Sequence, residues 1–308
     1  MTLSYDFVLI GGYFFDMIFT GLANMPVLGC ELYSDGVTTT GGAMFITAAS
    51  LRRLGASVGW PVIFGNDYYS QFVHDLSLQE GIDLSLAKHL AHPYRRVTTS
   101  MAHAGERAFV TYTDPEISDS LEFELACLEQ CNFRHLHFGG LTSLEYAKPL
   151  LEKARQSGAT VSMDCQDAPP LHKTNFPWGE LLPMLDIFIP NAREALLITK
   201  AATVPDALKQ LTKHCKLVVI KDGANGAWIG DGEKVIHAPS VAVPQVIDTT
   251  GAGDCFNAGF LYGHIIEGAP LETSGLYGNI CGGLSVTGVG GATHAPTLEQ
   301  LKAFLLAE

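Results

Sequence analysis

Short apolar runs alternate with segments of helical spacing along most of the chain. Residues 7–10 are apolar throughout, as in a strand buried on both faces. Residues 43–54 set apolar side chains three and four apart and stop at Gly55. Residues 58–64 then read as a strand, and 68–80 as a helix ended by Gly81. Residues 135–138, 160–163, 187–189 and 217–220 are further apolar strands, with helical patterns such as 144–156 and 205–214 between them. This alternation predicts an α/β fold with a mainly parallel central sheet covered on both faces. The last three segments, 252–267, 271–286 and 298–307, read as helices with no strand between them.

Two stretches break the rhythm. Residues 16–40 hold short mixed segments with Pro26 and Gly29. Residues 96–112 read as a hairpin, with 97–103 and 108–112 alternating around the turn Ala104-Gly105-Glu106. Together they predict a small β appendage, from about 16–40 and 94–113, lying as a lid over the carboxyl edge of the sheet. No linker, repeat or low-complexity tract divides the 308 residues, so one domain spanning 1–308 is expected.

Composition narrows the function. Lys plus Arg is 19 and Asp plus Glu is 32, a net charge of -13. That argues against nucleic acid and against an anionic membrane surface, both of which need clustered basic residues. A hydrophobic fraction of 47% excludes disorder. The seven cysteines form no C-x-x-C pair and read as reduced thiols. The first residues carry no basic stretch, and the apolar run after them is broken by Gly11 and Gly12. A cytoplasmic protein is expected.

The chemistry concentrates in Asp248-Thr-Thr-Gly-Ala-Gly-Asp254, which runs into Cys255-Phe-Asn-Ala-Gly-Phe260. A strand-like run over 241–247 leads in and a helical pattern leads out. Gly251, Ala252 and Gly253 let backbone N–H groups converge at a helix N-terminus, where orphan donors and the helix dipole favour an anion. Asp254, in the first turn, can take a proton from an attacking hydroxyl while those amides stabilise charge on a transferred phosphoryl group. A plain capped helix is the alternative for so short a motif, but the flanking Asp-Thr-Thr and the small residues after it favour function.

DTTGAGDCFNAGF resembles the second signature of the PfkB (ribokinase-like) carbohydrate kinase family. Gly41-Gly42 through Leu54-Gly55, followed by the segment to Asp67, resembles the first. Pro190-Asn191 with Glu194, Val219 through Gly223 with Gly226-Ala227, and Asn279 through Thr287 with Gly290-Gly-Ala292 match in the family's order. The resemblance implies a three-layer α/β/α domain with a small β lid. It also implies ATP and Mg2+ as cofactors, K+ as a further candidate, and a homodimer meeting through the lid. The acceptor site would comprise Asp16, Gly41, Gly42, the position of Ile46, and Arg107 of the hairpin. Asn191, Lys221, Gly223, Gly226 and Asn279 would hold ATP, and Glu194 would organise Mg2+ through water. Asp248 and Thr250 resemble ligands of a monovalent cation.

One departure stands out. Relatives carry Asn four residues after the Gly-Gly pair, where this chain has Ile46. An aliphatic side chain makes no hydrogen bond, so the acceptor either lacks the matching hydroxyl or presents an apolar part there. His135-x-His137 alternates on a strand and reads as packing rather than a metal pair. No dinucleotide fingerprint, P-loop or protein-kinase set is present. The expected activity is ATP-dependent phosphorylation of a hydroxymethyl group on a small sugar. Two rivals remain open: a nucleoside kinase, which Ile46 and Tyr13-Phe14-Phe15 would suit, and a ligand-binding protein without catalysis.

Overall fold

The apolar runs stack into one sheet whose side chains alternate between two cores. The computed structural model describes residues 2–103, 106–166, 169–172 and 175–307. Eight strands lie in the order Val235–Ala238, Ala227–Gly230, Leu217–Lys221, Ile187–Ile189, Thr160–Asp164, Cys131–Phe138, Leu3–Ile10 and Val58–Gly59. All neighbours from Leu217–Lys221 to Val58–Gly59 are parallel, and the first two strands join antiparallel. Phe7 and Leu9 enter one core while Val8 and Ile10 enter the other; Ile187 and Ile189 oppose Phe188 in the same way. Period two with both faces apolar is what a helix-covered parallel sheet requires. Helices Met44–Arg53, Ala252–Leu261 and Leu271–Ser285 cover the first face. Helices Ser120–Gln130, Leu144–Gln156 and Val204–Leu211 cover the second.

The two arrhythmic stretches supply a second sheet, ordered Gly36–Ala43, Tyr13–Thr20, Arg96–His103 and Glu106–Thr113. Its first pair of strands reaches 13 and 43, beyond the expected 16–40. Ala104 and Gly105 of the expected hairpin turn lie outside the described residues.

Two strand expectations need correction. Residues 58–64 are not one strand. Val58–Gly59 joins the main sheet, whereas Ile63–Phe64 pairs with Lys88–His89. Pro61 between them lacks the N–H a continuous ladder needs, and Val62 N–H turns back to the Trp60 carbonyl at 2.8 Å. Residues 241–247, expected to be a strand, join no sheet among the described residues. Pro244 interrupts that run too. The helix expected over 252–267 ends its α-helical part at Leu261 and continues as one π turn, Tyr262–Ile266.

Strand Leu3–Ile10 sits between Val58–Gly59 and Cys131–Phe138, and from there the sheet grows in the opposite direction. Such a reversal opens a crevice at the carboxyl ends of the two central strands, where α/β folds place ligands. Here those ends are Ile10-Gly11 and Phe138-Gly139. No helix among the described residues is long and apolar enough to cross a membrane.

His135 and His137 are fully buried on Cys131–Phe138. The His135 ring nitrogens lie 2.7 Å from the Thr160 and Ser162 hydroxyls, and His137 Nδ1 lies 2.7 Å from Ser162 Oγ. Burial holds His137 down near 3 and His135 well below its ordinary value of 6.5. A base whose pKa drops on folding adds stability that is complete above its unfolded value and is lost as pH falls from there towards the folded one. His137→Gln removes one such group. Its melting-temperature deficit against the wild type is therefore expected to be largest near pH 7.5 and smaller near pH 5. An equal deficit at both would show that His137 is not held neutral.

Candidate active site

Gly251 turns the chain into helix Ala252–Leu261 with φ 72°. A Cβ there would also stand 2.7 Å from Gly291 Cα, so conformation and space both require glycine. Ala252 N–H folds back to the Thr249 carbonyl at 3.3 Å. Gly253 N–H, one residue later, has no acceptor within the helix by construction and meets the positive end of the dipole. Behind the turn sits Ile46, 2% exposed. Its Cδ1 fills the space where a Cβ on Gly251 or Gly291 would come within 2.8 or 2.3 Å. The residue expected to face the acceptor instead packs the anion turn from the core side.

Asp254 is part-buried in the first helical turn. The Thr47 hydroxyl and Gln166 Nε2 each donate to its Oδ1 at 3.4 Å. Burial raises its carboxyl to about 7; the charge of Asp164 adds to the rise and Lys221 opposes it. Lys221 ends strand Leu217–Lys221 and donates from Nζ to Asp164 Oδ2 at 2.7 Å and to Asn257 Oδ1 at 3.1 Å. Asn257 Nδ2 closes the triangle on Asp164 Oδ2 at 2.5 Å. A Cβ on Gly253 would lie 3.5 Å from that ammonium, which therefore flanks the helix N-terminus. Sequence reasoning placed Lys221 here but missed Thr47, Asp164, Gln166 and Asn257. Two signals were available: Asp164 directly follows a buried apolar strand at its carboxyl end, and Asn257 is three residues after Asp254 on one helix face.

Asp16 lies on Tyr13–Thr20 opposite Thr40 and Thr98, 8% exposed. Burial, then the charge of Asp248, raises it to about 7. Gly42 is glycine because a Cβ would stand 2.2 Å from Asp16 Oδ2, and one on Gly41 would strike the Phe45 ring at 2.4 Å. Both glycines lie at the end of a strand, and both make room for the protein's own side chains. Arg107 reaches down from Glu106–Thr113 and donates to Asp248 Oδ1 at 3.3 Å and to the Thr250 hydroxyl. Asp248 also accepts from the backbone of Thr250 and Gly290. The side-chain oxygens expected to hold a monovalent cation thus face a guanidinium, and they do not fit such an ion in this arrangement.

On the other side of Lys221, Asn191 and Glu194 form a capping box. Asn191 Oδ1 accepts from Glu194 N–H at 2.9 Å, and Glu194 Oε2 accepts from Asn191 N–H at 2.8 Å. Glu194 is buried rather than solvated. Gly223 has φ 53° with open space around it. A Cβ on Gly226 would meet the Ala238 carbonyl at 2.1 Å, so this glycine serves strand approach. Asn279 Nδ2 donates to the Ala238 and Pro239 carbonyls at 3.0 and 2.8 Å. Its amide group holds that loop, where contact with adenine was expected.

Known proteins arrange a whole chain this way. A 2-dehydro-3-deoxygluconokinase of Bacillus subtilis is 28% identical over 288 residues, covering 87% of this chain and 86% of the relative. A cytidine kinase of Thermococcus kodakarensis is 28% identical over 261 residues, covering 83% and 91%. The structure of Arabidopsis thaliana ribokinase complexed with ribose and ATP superposes with a TM-score of 0.79 at 21% identity, over 98% of this chain and 99% of that one. The fold is therefore ribokinase-like. The family pattern described as pfkB family carbohydrate kinase matches residues 20–298, from the second sheet to the start of the last helix. Because that match spans well over half of the 308 residues, the chain belongs to the pfkB family of carbohydrate kinases.

Proposed function

We propose that the chain transfers the terminal phosphoryl group of ATP to a hydroxymethyl group of a small sugar or sugar-like acceptor, with Asp254 as base. The observation that carries this reading is the Asp254 carboxyl in the first turn of a glycine-opened helix, beside the part-buried Lys221 ammonium, with burial raising it to about 7. A base poised near working pH accepts the hydroxyl proton as the oxygen attacks phosphorus, and ADP leaves. Gly253 N–H and Lys221 then face the charge on the phosphoryl group in flight. Asp16, next to Gly42, would accept from the acceptor's remaining hydroxyls.

The residues present fit Mg2+ in one form. No group of three or more potential metal ligands lies together among the described residues. Mg2+ bound mainly by phosphates and water needs only one or two carboxylates, and Asp164 and Glu194 could receive its waters. When bound, it would supply charge neutralisation on the phosphates. A cytoplasmic setting suits this reading, since ATP is available there and free thiols stay reduced.

Asp254→Asn keeps both hydrogen bonds from Thr47 and Gln166 but removes the proton acceptor. Turnover is expected to fall at least roughly 10²-fold, and the wild-type kcat/KM profile should show an acid limb near pH 7. The same variant tests the burial. An acid whose pKa rises on folding stabilises below its unfolded value, 3.8, and that contribution is gone above the folded value, about 7. The melting temperature of Asp254→Asn relative to wild type should therefore be higher near pH 8 than near pH 4. Near-normal turnover would remove Asp254 as the base.

Glu194→Gln preserves the capping box, since an amide oxygen can still accept from Asn191 N–H. Loss of one charge near the metal's waters should raise the Mg2+ concentration for half-maximal rate by about 10-fold at unchanged melting temperature. An unchanged Mg2+ dependence would remove Glu194 from the metal's water shell.

The second sheet also bears on assembly. Its edge strands Gly36–Ala43 and Glu106–Thr113 carry exposed Val37, Phe109, Val110 and Tyr112. Apolar edges of this kind are normally paired or covered. A homodimer meeting through these sheets is expected by light scattering at micromolar concentration, and a monomer there would exclude it.

A further inference from the structure

Asp248 ties together the two backbone segments that build the anion turn. Its Oδ1 accepts from the Thr250 N–H at 2.9 Å and from the Thr250 hydroxyl at 2.7 Å, one residue before Gly251. Its Oδ2 accepts from the Gly290 N–H at 3.0 Å, one residue before Gly291. A Cβ on Gly251 would stand 2.7 Å from Gly291 Cα, so the two segments touch directly beyond that carboxylate. The Asp248 side chain is only 6% exposed, and a charge so placed needs a partner inside the protein.

That partner comes from the second sheet. Arg107 lies on edge strand Glu106–Thr113, and its Nη1 donates both to Asp248 Oδ1 and to the Thr250 hydroxyl oxygen. The hydroxyl in turn donates to Asp248, so one nitrogen and two oxygens close a triangle. Phe109, two residues along the same strand and therefore on the same face, holds its ring centre 5.5 Å from the guanidinium carbon. A guanidinium keeps its charge at any working pH and, unlike a bound ion, does not exchange with solvent. A monovalent cation is held by oxygen lone pairs, and here the side-chain lone pairs it would use already accept from N–H and O–H donors.

We propose that Arg107 is a tethered cation: a positioning residue on the second sheet that takes the place of a monovalent ion at Asp248 and Thr250 and so holds the Gly251–Gly253 turn against Gly290-Gly291. Phosphotransfer by this chain is then independent of added K+. The second sheet becomes a support of the turn without touching the reacting atoms, because losing Arg107 leaves Asp248 uncompensated beside it. Both hydrogen bonds described for Arg107 go to the protein's own oxygens, which assigns it to the turn rather than to the acceptor. This rests on the phosphotransfer reading above and concerns the ion dependence of the same site.

The test follows melting temperature and initial rate in potassium chloride and in choline chloride at equal ionic strength. It compares the wild type with Arg107→Met, Arg107→Gln and Arg107→Lys, using ATP and whichever of ribose, fructose and gluconate the wild type phosphorylates fastest. The wild-type kcat should differ by less than about 2-fold between the two salts, at unchanged melting temperature. In choline, Arg107→Met and Arg107→Gln should lose at least about 10-fold in kcat with little change in KM for ATP, because a support of the turn acts in the transition state. K+ should recover most of that loss and raise their melting temperature saturably, since an ion bound at the vacated oxygens stabilises the folded chain. Arg107→Lys keeps a charge and should stay insensitive to K+. If Arg107→Met fails to fold, Arg107→Gln, which keeps a donor for Thr250 without the charge, carries the comparison. A wild type activated by K+ beyond about 2-fold would overturn the proposal, as would neutral variants blind to K+ in both readouts or altered only in KM for the acceptor. If no acceptor turns over, the phosphotransfer reading fails and the melting curves still decide. Stabilisation by K+ confined to the neutral variants then sustains the tethered cation, and its absence removes it.

Discussion

A part-buried ammonium holds the acidic edge of this sheet together. Lys221 and Asp164 pair at 2.7 Å with side chains only 12% and 4% exposed, and Asn257 binds both. Burying an isolated carboxylate is prohibitive, and removing one partner of a buried pair costs about 3–5 kcal/mol. Exposed pairs such as Lys216–Asp186 contribute about 0–1 kcal/mol and decide little. The Lys221–Asp164 pair is therefore the one on which the site's geometry depends. It fixes the ends of two parallel strands and the first turns of helix Ala252–Leu261 relative to one another.

That pairing also explains why Asp254 titrates where it does. Asp164 lies close enough to raise it, yet Lys221 is committed chiefly to Asp164 and only partly offsets the burial. A lysine aimed at Asp254 itself would hold the carboxyl low and leave a weak base. Asp16 is raised by the same logic, with Asp248 as its charged neighbour and Arg107 bound to Asp248. Two cations thus neutralise Asp164 and Asp248, the two carboxylates that brace the site. Asp254 and Asp16, which have no cation as hydrogen-bond partner among the described residues, are raised by burial to about 7.

Much of this was legible in the sequence, and the illegible part has a physical cause. Period-two apolar runs such as 7–10 and 187–189 reveal a doubly covered sheet because burial on both faces leaves no other pattern. Proline hid the breaks at Pro61 and Pro244, since apolar neighbours on either side mimic a continuous strand. The Gly251 turn was readable because its residues are contiguous. Asp164 ends one strand with Gln166 two residues on, whereas Thr47 comes from helix Met44–Arg53 and Asn257 from helix Ala252–Leu261, and only the topology brings them together. Ile46 shows the opposite failure. Its place in the sequence motif says nothing of its side-chain direction, which depends on Gly251 and Gly291, two residues far along the chain whose missing side chains leave the space it fills.

The same geometry sets a cost that the fold must carry. Gln166 and Ala43 both hold positive φ at the crevice between Ile10-Gly11 and Phe138-Gly139, and backbone of this kind costs of order 1–3 kcal/mol per residue. Three raised carboxyls, Asp16, Glu124 and Asp254, add the penalty of burial, and Arg96 Nε adds an unmade hydrogen bond. None of these helps folding. Ala43, Arg96, Glu124 and Gln166 line the crevice, and Gln166 links it to Asp254 by its hydrogen bond. A protein selected only for stability would relieve such features singly, because each lies within reach of one substitution. Their concentration beside the topological switch point is what a maintained ligand site shows and what a fold selected for stability alone does not.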